Sequence, residues 1–160
     1  RKHMKPNQKL DQLAALSSEI RRLTIKRLEE VPEGFMNWRL NNTAMSFGHL
    51  IKHIVDVDEI FFSLSTTNKR TFKWKMGSEE PHADIDETIY KSLIISLETN
   101  GKKRNSIISQ FNAITINDLV HNTKGEEMTF WWFIMHNVLE HETYHRGQIA
   151  AYLKILKGEL

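Results

Sequence analysis

Five consecutive residues, His141-Glu142-Thr143-Tyr144-His145, place two imidazoles four positions apart with a carboxylate beside the first. On a helix, His141 and His145 are separated by about 400°, some 40° past a full turn, and by ~6 Å along the axis, so both rings can reach one metal ion. The same letters match the H-E-x-x-H pattern of zinc peptidases, in which the Glu activates water at the metal. Glu142 is therefore a candidate general base, although a position about 100° round from His141 also allows it to face solvent or a neighbouring helix. The peptidase reading stops at the third ligand. Only fifteen residues follow His145, none is His, and their sole acid, Glu159, lies near the end of the same helix. No extended strand upstream offers an edge on which to align a peptide substrate.

A third ligand must then come from upstream. His53 lies on the helically spaced stripe Leu50, His53, Ile54, Val57, Phe61, and the matching stripe of the last helix is Phe130, Ile134, Val138, His141, His145, Gln148, Tyr152. A lone His on an apolar face is usually a hydrogen-bonded core residue. Three unliganded imidazoles buried together each lose hydration and gain little, which tips the balance towards a metal. With no cysteine in the chain, an ion must be held by His, Asp or Glu. His49, four residues before His53, shares its face and competes with it as the third ligand. His136, about 140° round from His141, falls outside the site. Gln148 is a candidate partner for a ligand imidazole or for a group at the metal. Gly147, which costs about 1 kcal/mol relative to Ala in mid-helix, implies close packing by another helix. Arg146 reads as an ion-pair or dimer residue, Asp56 as a solvated acid or a support for His53, and Trp131, Trp132 and Phe133 as core and interface. Tyr90 is a candidate pocket residue.

The elements that must position these groups are legible as helices. Leu10, Leu13, Leu16, Ile20, Leu23, Ile25 and Leu28 give a helix over Lys9–Glu30, ended by Val31-Pro32-Glu33-Gly34. Ser46 caps a second helix that runs to Leu64. Residues 67–84 are polar, contain Gly77 and Pro81, and read as a long crossover with a short extended piece at Phe72-Lys73-Trp74-Lys75. Asp84 or Asp86 caps a third helix reaching Gln110, with Asn100-Gly101 as a possible kink. Thr129 opens the fourth, from Phe130 to Lys157. Alternating apolar runs are too short for a substantial sheet. The expectation is an all-α four-helix bundle with a long crossover between helices 2 and 3.

The chain has 160 residues, 40% apolar and 26% charged, which suits one domain spanning 1–160; Arg1-Lys2-His3 ahead of Met4 reads as an appended remnant. Its 22 basic and 20 acidic residues are interspersed, which argues against nucleic acid as a partner. No apolar run approaches a membrane span and the N-terminus lacks a signal-peptide core, so the expected setting is the cytoplasm, with no membrane contact.

Two blocks, PEGFMNWRLNNTAMSFGHLIKHIVDVDEIFF (32–62) and HNVLEHETYHRGQIAAYLK (136–154), resemble the DinB-like (YfiT-like) family of small metal-binding helical bundles. The His-x-x-x-His-Arg-Gly-Gln core is the more specific of the two. The resemblance implies an up-down-down-up helix order, a homodimer, and a divalent ion, nickel or zinc, on three His ligands, which the motif match places at His53, His141 and His145. It leaves His49 beside the site. It further implies transfer of a low-molecular-weight thiol of the bacillithiol type to a small-molecule electrophile. Metal-dependent hydrolysis with Glu142 or another carboxylate as base, and a non-enzymatic metal-binding stress protein, are the alternatives.

Overall fold

The computed structural model describes residues 8–74 and 83–159. Helix α1 spans Gln8–Glu29, α2 Phe47–Ser65 and α3 Glu87–Gln110. A fourth, α4, runs over 130–156 in three parts: an α-helical turn Phe130–Trp132, a π-helical stretch Phe133–Glu140 and an α-helix His141–Leu156. The starts are set by side-chain caps, which satisfy backbone N–H groups that no helical carbonyl can reach. Ser46 Oγ accepts from the His49 amide at 3.2 Å, Asp86 Oδ1 from Ile89 at 2.8 Å, and Thr129 Oγ1 from Trp132 at 3.1 Å. Of the two acids considered for α3, Asp86 is thus the cap.

Contacts along the helices fix their directions. Ser17, Arg21 and Leu28 of α1 meet Arg104, Leu97 and Tyr90 of α3, so these two run antiparallel. Arg21 meets Glu142 and Glu30 meets Lys157, so α1 and α4 run parallel. On α2, His53 meets His141 while Met45 meets Tyr152, which makes α2 and α4 antiparallel. Gly48 faces Ile85 and Phe62 lies under Lys103, which makes α2 and α3 parallel. The order is up-down-down-up, and the parallel α2–α3 pair is what the long connection makes possible. Part of that connection, including Gly77 and Pro81, lies outside the described residues.

Three short strands were not foreseen as a sheet. β1 (Thr71–Phe72) pairs parallel with β2 (Leu119–Asn122), and β2 pairs antiparallel with β3 (Glu127–Thr129). Runs of two to four residues carry too little alternation to be read as strands. The sheet closes one end of the bundle, where Phe72 and Val120 join Phe61, Phe111, Phe130 and Phe133 in an apolar cluster. A second cluster, with Leu28, Phe47, Leu50, Ile51, Leu97, Ile149 and Tyr152, fills the other end. No helix among the described residues is long and apolar enough to cross a membrane.

Helix α3 runs unbroken through Asn100-Gly101. Gly101 is buried against α1: a Cβ there would stand 2.7 Å from Cγ of Arg21. Gly101→Ala should therefore lower stability by up to about 2 kcal/mol, since overpacking of about 1–3 kcal/mol is offset by a gain in helix propensity of about 1 kcal/mol. Urea unfolding of the two proteins measures the difference.

Candidate metal centre

Residues His53 of α2 and His141 and His145 of α4 converge through their Nε2 atoms. The nitrogens of His53 and His141 lie 3.1 Å apart and those of His141 and His145 2.9 Å. All three ring pairs sit with centroids 4.3–4.9 Å apart, steeply inclined to one another. His145 is buried, and His53 and His141 are half-buried. The π-helical stretch contributes to this placement, because i→i+5 bonding turns the chain less per residue and so re-aims everything after Glu140. Its buried residues pair at five, Phe133 with Val138 and Ile134 with Leu139, before α-helical spacing resumes at Glu142, His145, Ile149 and Tyr152. An α-helical stripe alone did not reveal that change of register.

Gln148 supports the cluster directly. Its Oε1 lies 2.7 Å from Nδ1 of His145. A carbonyl oxygen only accepts, so Nδ1 carries the proton and Nε2 keeps its lone pair for an ion. Burial pushes all three imidazoles down from their ordinary value near 6.5, and for His53 and His141 the neighbouring rings add to it: His53 falls to about 4 and His141 to about 3. His145 is also lowered by burial, against the hydrogen bond it donates to Gln148. The cluster is thus neutral at pH 7, the state in which imidazole binds metals.

A zinc–nitrogen bond of about 2.0–2.1 Å gives N···N edges of roughly 3.3 Å in a tetrahedron and roughly 2.9 Å in an octahedron. The observed 2.9 and 3.1 Å match edges of this length, and the three ligand atoms all lie within 4.8 Å of one another. Among the described residues, no Asp, Glu or further His joins these three in a ligand cluster.

The depressed values carry a sign. Below about 6.5 the unfolded chain takes up protons at these positions that the folded, metal-free chain refuses, so stability falls as pH drops from about 6.5 towards 4 and their contribution is constant above that window. Denaturation midpoints measured in chelator across pH 4–8 should show this slope in the wild type and a shallower one in His53→Gln.

Other candidates lie elsewhere. His49 caps α2 with Ser46, its Nδ1 2.9 Å from Ser46 Oγ, and is not part of the cluster. His136 stacks on Trp132 and stands 3.3 Å from Glu140, outside the cluster as expected. Tyr90 donates to the Leu28 carbonyl at 3.4 Å, and Arg146 to the Ile20 carbonyl at 3.4 Å. Phe133 is core, whereas Trp131 and Trp132 are exposed. Gly147 corrects its reading, for among the described residues nothing lies within 4 Å of where its Cβ would be, and no helix packs closely there. Gly147→Ala should accordingly raise stability by about 1 kcal/mol, read as a higher melting temperature.

Glu142 is the larger correction. It is not at the histidines but buried in the bundle, 1% exposed, on the side of α4 that faces α1 and α3. Its Oε1 accepts from Arg21 Nε at 2.9 Å and Thr24 Oγ1 at 2.8 Å, and its Oε2 from Arg104 Nη1 at 2.6 Å and Arg21 Nη2 at 3.0 Å. Burial opposes its ionisation, but Arg104 and Arg21 outweigh that and hold the carboxyl at about 2. A group so committed cannot take a proton as a base near neutral pH. Asp58 of α2 completes the set, bonded to Arg21 at 2.8 and 2.9 Å and to Arg104 at 3.4 Å. Arg21, Asp58 and Arg104 passed unnoticed in the sequence. Their signal was charge on otherwise apolar stripes, between Ile20 and Thr24, beside Val57, and between Gly101 and Ile108.

The DinB family model matches residues 4–156. The chain belongs to the DinB family. The fold of this DinB-family protein is also that of a DinB-like protein of Bacillus subtilis, YjoA, solved at 2.30 Å, with a TM-score of 0.67, 19% sequence identity, and coverage of 91% of this chain and 92% of that one. At such identity the likeness speaks for the fold alone. No curated protein sequence matches the chain.

Proposed function

We propose that this DinB-family protein is a metal-dependent enzyme that transfers a low-molecular-weight thiol to a small-molecule electrophile. The observation that carries the reading is the donor set: three neutral imidazoles converge, with no carboxylate and no fourth protein ligand in the cluster among the described residues. Such a set leaves the charge of a divalent ion uncompensated and coordination positions free for exchange, unlike a closed structural site. When bound, the ion would supply Lewis acidity that favours the deprotonated form of a coordinated thiol or water. The protein's own part is to keep His53, His141 and His145 neutral and to fix the tautomer of His145 through Gln148. Nickel and zinc both suit imidazole ligands. The reading includes a homodimer and a cytoplasmic setting.

Hydrolysis is weakened as an alternative because both oxygens of Glu142 are engaged by arginine and no other carboxylate joins the three histidines among the described residues. The deciding assay loads the protein with nickel or zinc and follows loss of bacillithiol or glutathione in the presence of a chloro-dinitroaromatic. Metal-dependent consumption that disappears in His53→Ala supports transfer. Ester or amide cleavage without thiol consumption would replace it with hydrolysis, and neither activity with any thiol would leave a binding protein.

A further inference from the structure

We infer that the buried quartet Arg21, Asp58, Arg104 and Glu142 is the device that positions the three histidines for a metal ion; the inference rests on the reading of those histidines as a metal centre. Each member comes from a different helix, and the charges sum to zero. The two carboxylates stand on the two helices that bear the histidines: Glu142 follows His141 directly on α4, and Asp58 lies five residues after His53 on α2, about 7.5 Å along the axis. Both arginines bond to both carboxylates. The guanidiniums from α1 and α3 therefore act as one rigid spacer between α2 and α4, and the spacing of those helices sets the distance from His53 to His141 and His145.

The bundle is built around this spacer. Only four residues of α3 are buried, and one is Arg104 while another, Gly101, makes room for the stem of Arg21. Further buried groups hold the fork ends: Ser17 Oγ and its carbonyl accept from Arg104 at 2.7 and 3.0 Å, and the Leu97 carbonyl accepts from Arg21 at 2.8 Å. Buried ion pairs of this kind are on average no more stabilising than well-packed apolar residues, so stability alone is a weak account of them. Directional, bidentate bonding does supply what a metal site needs, which is helices held within a few tenths of an ångström. Glu142, Asp58, Arg21 and Arg104 act on the ion through the histidines and are positioning residues.

The test titrates metal-free protein with Co²⁺, reading affinity and the intensity of the visible absorption at saturation, with far-UV circular dichroism and a thermal melt to confirm the fold. Glu142→Gln keeps the shape of the side chain but loses its charge, and should weaken Co²⁺ binding about 10- to 100-fold, as loss of supporting groups around a metal does, with an altered saturated spectrum. Arg104→Lys, which keeps the charge without the fork, should restore neither affinity nor spectrum. Should Glu142→Gln fail to fold, Thr24→Val removes one hydrogen bond to Glu142 at nearly constant volume and should still weaken binding severalfold. Folded variants that bind Co²⁺ within twofold of wild type, with an unchanged spectrum, overturn the positioning role while the metal centre stands. A wild type that binds Co²⁺ no better than His53→Ala, expected to bind roughly 100- to 1,000-fold more weakly than an intact three-histidine site, overturns both.

Discussion

Alanine at His53, His141 or His145 should each weaken binding of one divalent ion per chain roughly 100- to 1,000-fold while leaving the bundle folded. The size of the effect follows from ligand count. Four-ligand zinc sites in peptides provide about 10–16 kcal/mol, or roughly 2.5–4 kcal/mol per ligand, so loss of one imidazole costs roughly 100- to 1,000-fold in affinity. Two histidines four residues apart on one helix remain in His53→Ala, and they would hold an ion only weakly. The fold should survive because none of the three is part of the apolar clusters that fill the two ends of the bundle. Removing one imidazole from a desolvated group of three even relieves a cost, since burial depresses each of them. The wild type should gain about 2.7 kcal/mol at an ion concentration 100 times Kd, or roughly 5–10 °C in melting temperature for a chain of this size. The variants should show no such gain. Equilibrium dialysis with metal analysis, paired with melts in zinc and in chelator, separates lost ligation from lost folding. Equal metal content in wild type and all three variants would remove the metal centre.

Much of this was legible in the sequence because helices report themselves through local spacing. The caps Ser46 and Thr129, the breaks at Val31-Pro32 and the stripe that turns His53 inward all follow from residues within two turns of one another. His141 and His145 needed only the geometry of one helix to be paired. What stayed hidden depends on contacts between elements far apart in sequence. Glu142 is 121 residues from Arg21, and nothing local distinguishes a carboxylate that meets two guanidiniums from one that meets water. Gly101 and Gly147 look alike in sequence, yet one abuts an arginine stem and the other open space. The sheet escaped for a related reason: β1 is two residues long and finds its partner some fifty residues later.

The second large effect belongs to the quartet. Arg104→Ala should destabilise the protein by about 3–5 kcal/mol, because it leaves two buried carboxylates facing one arginine and strips Ser17 of its partner. Against a total of about 5–15 kcal/mol for a domain, that is a melting temperature lower by roughly 10 °C or more, and partial unfolding at 37 °C. Replacing all four residues by apolar ones of similar volume removes the charges together and leaves none unpaired, so it should cost little stability or even add about 1–4 kcal/mol. Acid separates the two cases further. Glu142 titrates near 2 in the folded chain and near 4.5 unfolded, so the stability it contributes is fully present above about 4.5 and drains away as pH falls towards 2. The apolar quadruple variant should lose this acid-sensitive component while remaining folded, as melts at pH 5 and pH 3 would show. If it also holds an ion as tightly as the wild type, the arginine–carboxylate set has no positioning role; a stable bundle with a loosened metal site would mean that stability was given up for the alignment of His53 with His141 and His145.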